Sequence, residues 1–219
     1  MGKIEKSASA VSVIGGADGP TSVFIAEEHR PTIKQRIQGV AFKRRKSQIE
    51  KCIKAEPHSM SEVMKYITEK YGFVELDRGS DEYQIQYKGM RASFIMEYAP
   101  ELLGEYAECP QLMSRDEEGI RKYIEQQELR QKAAESVPEE LFDIDFHIFK
   151  KKLGDGEMDF LIETKYEYIG GGFNGSGNIK RRQYEKMYRD VYGYYGVSKE
   201  DIDNKTKRYE EVVRMLAIR

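Results

Sequence analysis

Apolar residues recur at helical spacing along most of this chain, and only short stretches alternate as strands do. From about Pro31 to Lys54, Ile33, Ile37, Val40, Ile49, Cys52 and Ile53 approximate a helical period, which predicts one Lys/Arg-rich helix with these residues as its apolar stripe and Gly39 as a weak point. After Pro57, Ser59 or Ser61 can cap a second helix that buries Val63, Met64, Ile67 and Tyr71 and stops at Gly72. Phe73 to Leu76 reads as a short strand. Two periods compete over Tyr83 to Tyr98, where Tyr83, Ile85 and Tyr87 alternate while Tyr83, Tyr87, Met90 and Phe94 keep helical spacing; the longer pattern predicts a helix. Ser114-Arg115-Asp116-Glu117 reads as a capping box, opening a helix to about Ser136 with Ile120, Tyr123, Ile124 and Leu129 buried.

The last third carries the clearest strands. Asp143 to Ile148 alternates, Gly154-Asp155-Gly156 supplies a turn, and Met158, Phe160, Ile162, Thr164 and Tyr166 alternate again, which predicts a β-hairpin over about 143–168. A glycine-rich loop from Gly170 to Gly177 then leads into a helix with Tyr184, Met187, Tyr188, Val191, Tyr192 and Tyr195 on one face, ended by Gly196. Ser198 starts a single last helix with Ile202, Tyr209, Val212, Val213 and Leu216 inward. The fold class is therefore α+β, predominantly helical with a small antiparallel sheet: a leader over residues 1–29 and a soluble α+β domain over residues 30–219.

Composition narrows the classes of function. The 219 residues can bury a real core without disulfides or metals, and the net charge of −2 predicts no overall attraction to nucleic acid or anionic membrane, so any electrostatic role needs a local patch. Cys52 and Cys109 lie in unrelated contexts and read as free thiols, which predicts a reducing, cytoplasmic setting. Gly15, Gly16, Asp18, Gly19 and Pro20 break the apolar run of the leader, against a signal peptide, and no stretch approaches the roughly 20 apolar residues of a spanning helix, against membrane insertion.

Within the leader, two short apolar runs flank a glycine turn, which predicts a hairpin or a strand followed by a helix start. The run Val13-Ile14-Gly15-Gly16-Ala17-Asp18-Gly19-Pro20-Thr21-Ser22-Val23-Phe24-Ile25 closely resembles a signature of the β subunits of sodium-ion-translocating decarboxylases. The resemblance implies a broken transmembrane helix whose aspartate, here Asp18 by position, couples sodium ions and protons. It covers residues 12–25 only, and the other spanning segments of such a pump are missing. The whole chain also resembles short soluble bacterial proteins that carry this tag. Two further readings of the same residues are a Gly-Pro turn with Asp18 as its cap, and a recognition peptide for a protein partner built on Gly15, Gly16, Asp18, Gly19, Pro20 and Thr21.

Other chemistry is sparser. Lys43, Arg44, Arg45 and Lys46 head a basic stretch in which only Glu50 opposes after Pro31, a pattern able to track phosphates, with Lys180, Arg181 and Arg182 as a second group. The Gly170–Gly177 loop, between a strand and a helix, reads either as a connector or as a phosphate cradle. His29, His58 and His147 show no metal spacing, and His147 sits beside Asp143 and Asp145 on a strand's polar face. The tyrosine stripe reads as packing before it reads as a stacking platform. No motif implies a cofactor, a metal or a catalytic residue. The leading expectation is a cytoplasmic, non-enzymatic binding or adaptor protein whose leader recognises a protein partner, with nucleic-acid binding through the basic helix second and a relative of the decarboxylase β subunit third.

Overall fold

The computed structural model describes residues 11–16, 19–25, 32–114, 116–154, 156–175 and 178–218, with the backbone alone for 11–16, 19–25, 34–35 and 178–181. The chain divides into two compact units: Met1–Arg30 with Arg78–Asp143, and Pro31–Asp77 with Ile144–Arg219. Among the described residues, no helix is long and apolar enough to cross a membrane.

The first unit is mainly helical. Strands β1 (Val11–Gly16) and β2 (Gly19–Ile25) form an antiparallel hairpin with Gly16 opposite Gly19 and an irregular step between Ile14 and Gly15. The leader is thus a hairpin and not a strand with a helix start; Asp18 lies outside the described residues. Helix α3 (Asp81–Tyr98) confirms that the longer of the two competing periods decides the structure. It is followed by a 3-10 segment over Pro100–Tyr106 and by α4 (Glu117–Ser136). The cap of α4 is Asp116, whose Oδ1 accepts the Gly119 N–H at 2.7 Å, and not Ser114. Leu129 remains 41% exposed, and Ile120, Tyr123 and Ile124 are only half-buried, so the expected stripe of α4 is corrected; its buried residues are Arg130 and Ala134. Arg91 on α3 is buried with its guanidinium on the carbonyls of Phe142 (2.8 Å), Val137 (2.9 Å) and Pro138 (2.7 Å), where it satisfies a chain segment outside regular structure.

The second unit packs helices on a sheet. Its strands β3 (Val74–Glu75), β4 (Phe146–Leu153), β5 (Gly156–Glu163) and β6 (Tyr168–Asn174) run in that order, each antiparallel to the next. Met158, Phe160 and Ile162 of β5 are fully buried, as their alternation requires. The supposed glycine loop is mostly strand. Gly171 stands at φ +147, and a Cβ there would come within 2.3 Å of the Asp159 carbonyl oxygen, so glycine serves a close strand approach rather than a phosphate cradle.

Helices α1 (Ile33–Cys52), α2 (Met60–Tyr71), α5 (Asn178–Tyr195), α6 (Lys199–Asn204) and α7 (Lys207–Ala217) complete this unit. Val63 and Ile67 of α2, Val191 and Tyr195 of α5 and Val212 and Val213 of α7 meet the sheet residues in one core. Ser59 caps α2 in a reciprocal pair with Glu62, and Gly72 ends it in the left-handed conformation. The expected single last helix is two, because Lys205 takes a left-handed φ of 51° and Thr206 caps a new start. The α1 stripe also needs correction. Ile49 and Ile53 pack on the core, whereas Ile33, Ile37 and Val40 are exposed.

Candidate functional site

The direction of three helices decides which basic residues share a surface. Arg45 of α1 donates through Nε to the Ala217 carbonyl at the end of α7 (2.8 Å), while Ala55, just beyond α1, bridges Val197. Arg189 of α5 donates to the Ile218 carbonyl (2.8 Å), while Arg208 in the first turn of α7 reaches the carbonyls of Tyr195 and Gly196 at the end of α5. Both α1 and α5 therefore run antiparallel to α7. Their stretches ahead of Arg45 and Arg189, roughly 18 Å and 16 Å of helix at about 1.5 Å per residue, continue past its C-terminus. Two guanidinium groups on the last carbonyls of α7 complement the negative end of its dipole.

This arrangement sorts the basic residues expected to bind phosphates. Lys43 and Arg44 are exposed on α1, as is Arg36 about two turns earlier. Arg45 is half-buried on Ala217, and Lys46 lies 3.9 Å from Glu50. Lys180 and Arg181 fall in the first turn of α5, with side chains outside the described residues, and Arg182 is exposed. The two basic groups, far apart in sequence, thus belong to the same end of the helical layer. Lys51 and Lys54 lie at the other end, beside the start of α7.

A pocket of about 560 Å³ is lined by residues of α2, α5, the 56–58 segment and Leu216. Three rings stack through it: His58 on Tyr194 with centroids 3.9 Å apart, and Tyr194 on Tyr66, also 3.9 Å apart. His58 Nδ1 lies 2.6 Å from the Tyr194 carbonyl oxygen. A carbonyl only accepts, so Nδ1 carries the hydrogen and Nε2 is the acceptor of the neutral ring. The Lys70 ammonium lies at the hydroxyl edge of Tyr66, 4.7 Å from its centroid, and donates to the hydroxyl oxygen.

Asp190 Oδ2 gathers three donors, the hydroxyls of Tyr66 and Tyr71 at 2.6 Å each and Lys70 Nζ at 2.7 Å. Burial alone would raise the Asp190 carboxyl, but the hydrogen bonds from Lys70, Tyr66 and Tyr71 outweigh it and hold the group below the ordinary carboxylate range. Burial, then the bond to Asp190, pushes the Tyr71 phenol up to about 12, and the same causes raise Tyr66. The hydrogen bond to Asp190 raises Lys70 as well. At neutral pH these phenols and this ammonium keep their protons, so the cluster orients α2 against α5 and offers no general base.

Comparison with protein-family models, curated proteins and solved structures finds no match for this chain. The geometry is therefore the basis for a functional reading. Lys186, Arg189, Asp190, Gly193 and Tyr194 recur at helical intervals on α5, opposite the buried tyrosine stripe. Reading the sequence for an apolar stripe passes over such a face, although a tyrosine lying off the stripe was a usable signal. His147 is held between Glu75 (2.6 Å) and Asp145 (3.3 Å), tying β3 to β4. Cys52 and Cys109 are exposed free thiols, and among the described residues no group of His, Cys, Asp and Glu is placed to hold a metal ion.

Proposed function

We propose that this chain is a cytoplasmic, non-enzymatic binding protein whose second unit holds a polyanion, nucleic acid in chemical class. The supporting observation is that α1 ahead of Arg45 and α5 ahead of Arg189 both continue past the end of α7, which groups the exposed cations Arg36, Lys43, Arg44, Arg182 and Lys186 at one end. Helix α1 carries seven basic residues against one acidic in a chain of net charge −2, so its field is local. Two exposed free thiols suit a reducing compartment. Titrating a labelled oligonucleotide at increasing salt tests the reading: log K should fall against log salt with a slope of about −3, as for roughly four phosphate contacts. A flat salt response removes it.

The leader supports a second contact. Among the described strands β1 and β2 pair only with each other, so each has an outer edge to which a partner strand can add. Replacing Asp18, Gly19 and Pro20 together with alanine is expected to abolish capture of a protein partner while leaving the circular dichroism of the chain unchanged. Undiminished capture by the folded variant rejects the leader as a recognition peptide.

A further inference from the structure

The ring stack of the second unit runs from Tyr66 through Tyr194 to His58. Tyr66 covers one face of Tyr194 and His58 covers the other, while Lys70 Nζ holds the Tyr66 hydroxyl. Among the described residues, no ring or cation covers the second face of His58. His58 is held at both backbone and ring: its backbone N–H donates to Tyr195 O (3.0 Å), its carbonyl accepts from Arg208 Nη2 (2.9 Å), and the imidazole itself is oriented by Nδ1–H donating to Tyr194 O (2.6 Å) and by its stack on Tyr194. A ring immobilised before any ligand arrives loses little entropy when another ring stacks on it.

The pocket's lining also carries two carboxylates, Glu56 and Asp190, of which Asp190 is engaged by Lys70, Tyr66 and Tyr71; its cations for an anion joined to such a ring are Lys186 and Arg189. Lys186 is exposed at its edge, and Arg189 uses one nitrogen on Ile218 O, leaving the remainder of its guanidinium fork for phosphate. Gly193 is exposed and contributes no side chain, and a Cβ there would rest in ordinary contact with Leu216 Cδ2 at 3.6 Å without a clash. A volume of about 560 Å³ lies within the roughly 300–1,000 Å³ of small-ligand pockets.

We infer that this pocket takes one unpaired base of a single strand, stacked on His58, with the adjoining phosphate at Lys186 and Arg189. The inference rests on the polyanion reading and narrows it from nucleic acid in general to single strands. In a duplex the base faces are stacked on one another and cannot reach His58, whereas a single strand can turn one base out. The phosphates on either side then continue along the exposed cations of α5 and α1.

Fluorescence anisotropy on the full chain tests it, with labelled oligo-U RNA and oligo-dT DNA of about 12 nucleotides and a duplex of the same length, at one fixed salt concentration. Both single strands are expected to bind about tenfold more tightly than the duplex, the size of one base–aromatic stack. His58→Ala removes the open ring, and Gly193→Leu fills the space beside it without touching His58. Each is expected to bring the ratio of single-strand to duplex affinity close to one; should His58→Ala fail to fold, Gly193→Leu carries the test. Equal wild-type affinity for both forms, or a ratio unchanged in a folded variant, overturns the single-strand inference and leaves polyanion binding standing. No binding of any probe at low salt overturns the polyanion reading itself. A difference between the RNA and DNA arms identifies which strand chemistry the pocket prefers.

Discussion

Reversing charge at Lys43 and Arg44 together, to glutamate, is expected to weaken oligonucleotide binding about 30- to 100-fold near 0.1 M salt and to flatten the salt slope by about two. Both side chains are exposed on α1, directly ahead of Arg45, where the helix passes the end of α7. Glutamate has nearly the helix propensity of lysine and arginine, so stability should stay within about 0.5 kcal/mol of the parent. Arg45 and Lys46 are poorer probes, because Arg45 also caps the end of α7 and Lys46 pairs along the helix with Glu50. The discriminating control is the double reversal Lys51→Glu and Lys54→Glu. These residues are also exposed and basic but lie beside the start of α7, so their reversal should cost less than about threefold, through long-range screened charge alone. Equal losses from the two pairs would mean that net charge, and not the projecting surface, governs binding.

Much of this architecture was legible in the chain because local rules agreed with the packing. Ser59 and Gly72 bracket α2 as their types require, and the alternation of Met158, Phe160 and Ile162 gave β5 its inward face. The misreadings share a cause: a residue type served a long-range contact rather than its usual local one. The glycines of β6 admit a neighbouring strand and a tyrosine ring, so they resemble a loop while pairing residue by residue with β5. Ile33, Ile37 and Val40 continue the apolar period of α1 past the end of the helix that covers Ile49, and no periodicity says where the covering element stops. The pocket was least legible. His58, Tyr66, Asp190 and Tyr194 come from segments more than 100 positions apart, joined by bonds such as Tyr66 to Asp190 that leave no spacing in the sequence. What the sequence did contain, two basic runs far apart, acquired a common surface only through the antiparallel course of α1 and α5 along α7.

Arg208→Leu is expected to lower the stability of the second unit by about 3 kcal/mol. The guanidinium donates to the carbonyls of Gly196 (3.0 Å), His58 (2.9 Å) and Tyr195 (2.7 Å) and lies 3.8 Å from the Tyr195 ring centroid. Only 14% of the side chain is exposed. Leucine retains some of the packing but none of the donors. Tyr195 O keeps the N–H of His58 as a partner, whereas the carbonyls of Gly196 and His58 lose the donor Arg208 gave them, at about 1–3 kcal/mol for each buried group left unsatisfied. Arg208→Lys should recover only about 1 kcal/mol, because a single ammonium cannot span the carbonyls that the planar fork spans. Urea denaturation of the three proteins measures both quantities, and a loss below about 1 kcal/mol for leucine would show that water replaces the guanidinium without cost. The lysine variant also connects stability to binding. It remains folded with the His58 backbone less firmly held, so its preference for single strands over duplex should fall while its affinity for duplex follows the unaltered cations of α1. A lysine variant that lost both affinities equally would place Arg208 in the phosphate-binding surface instead of behind the stacked ring.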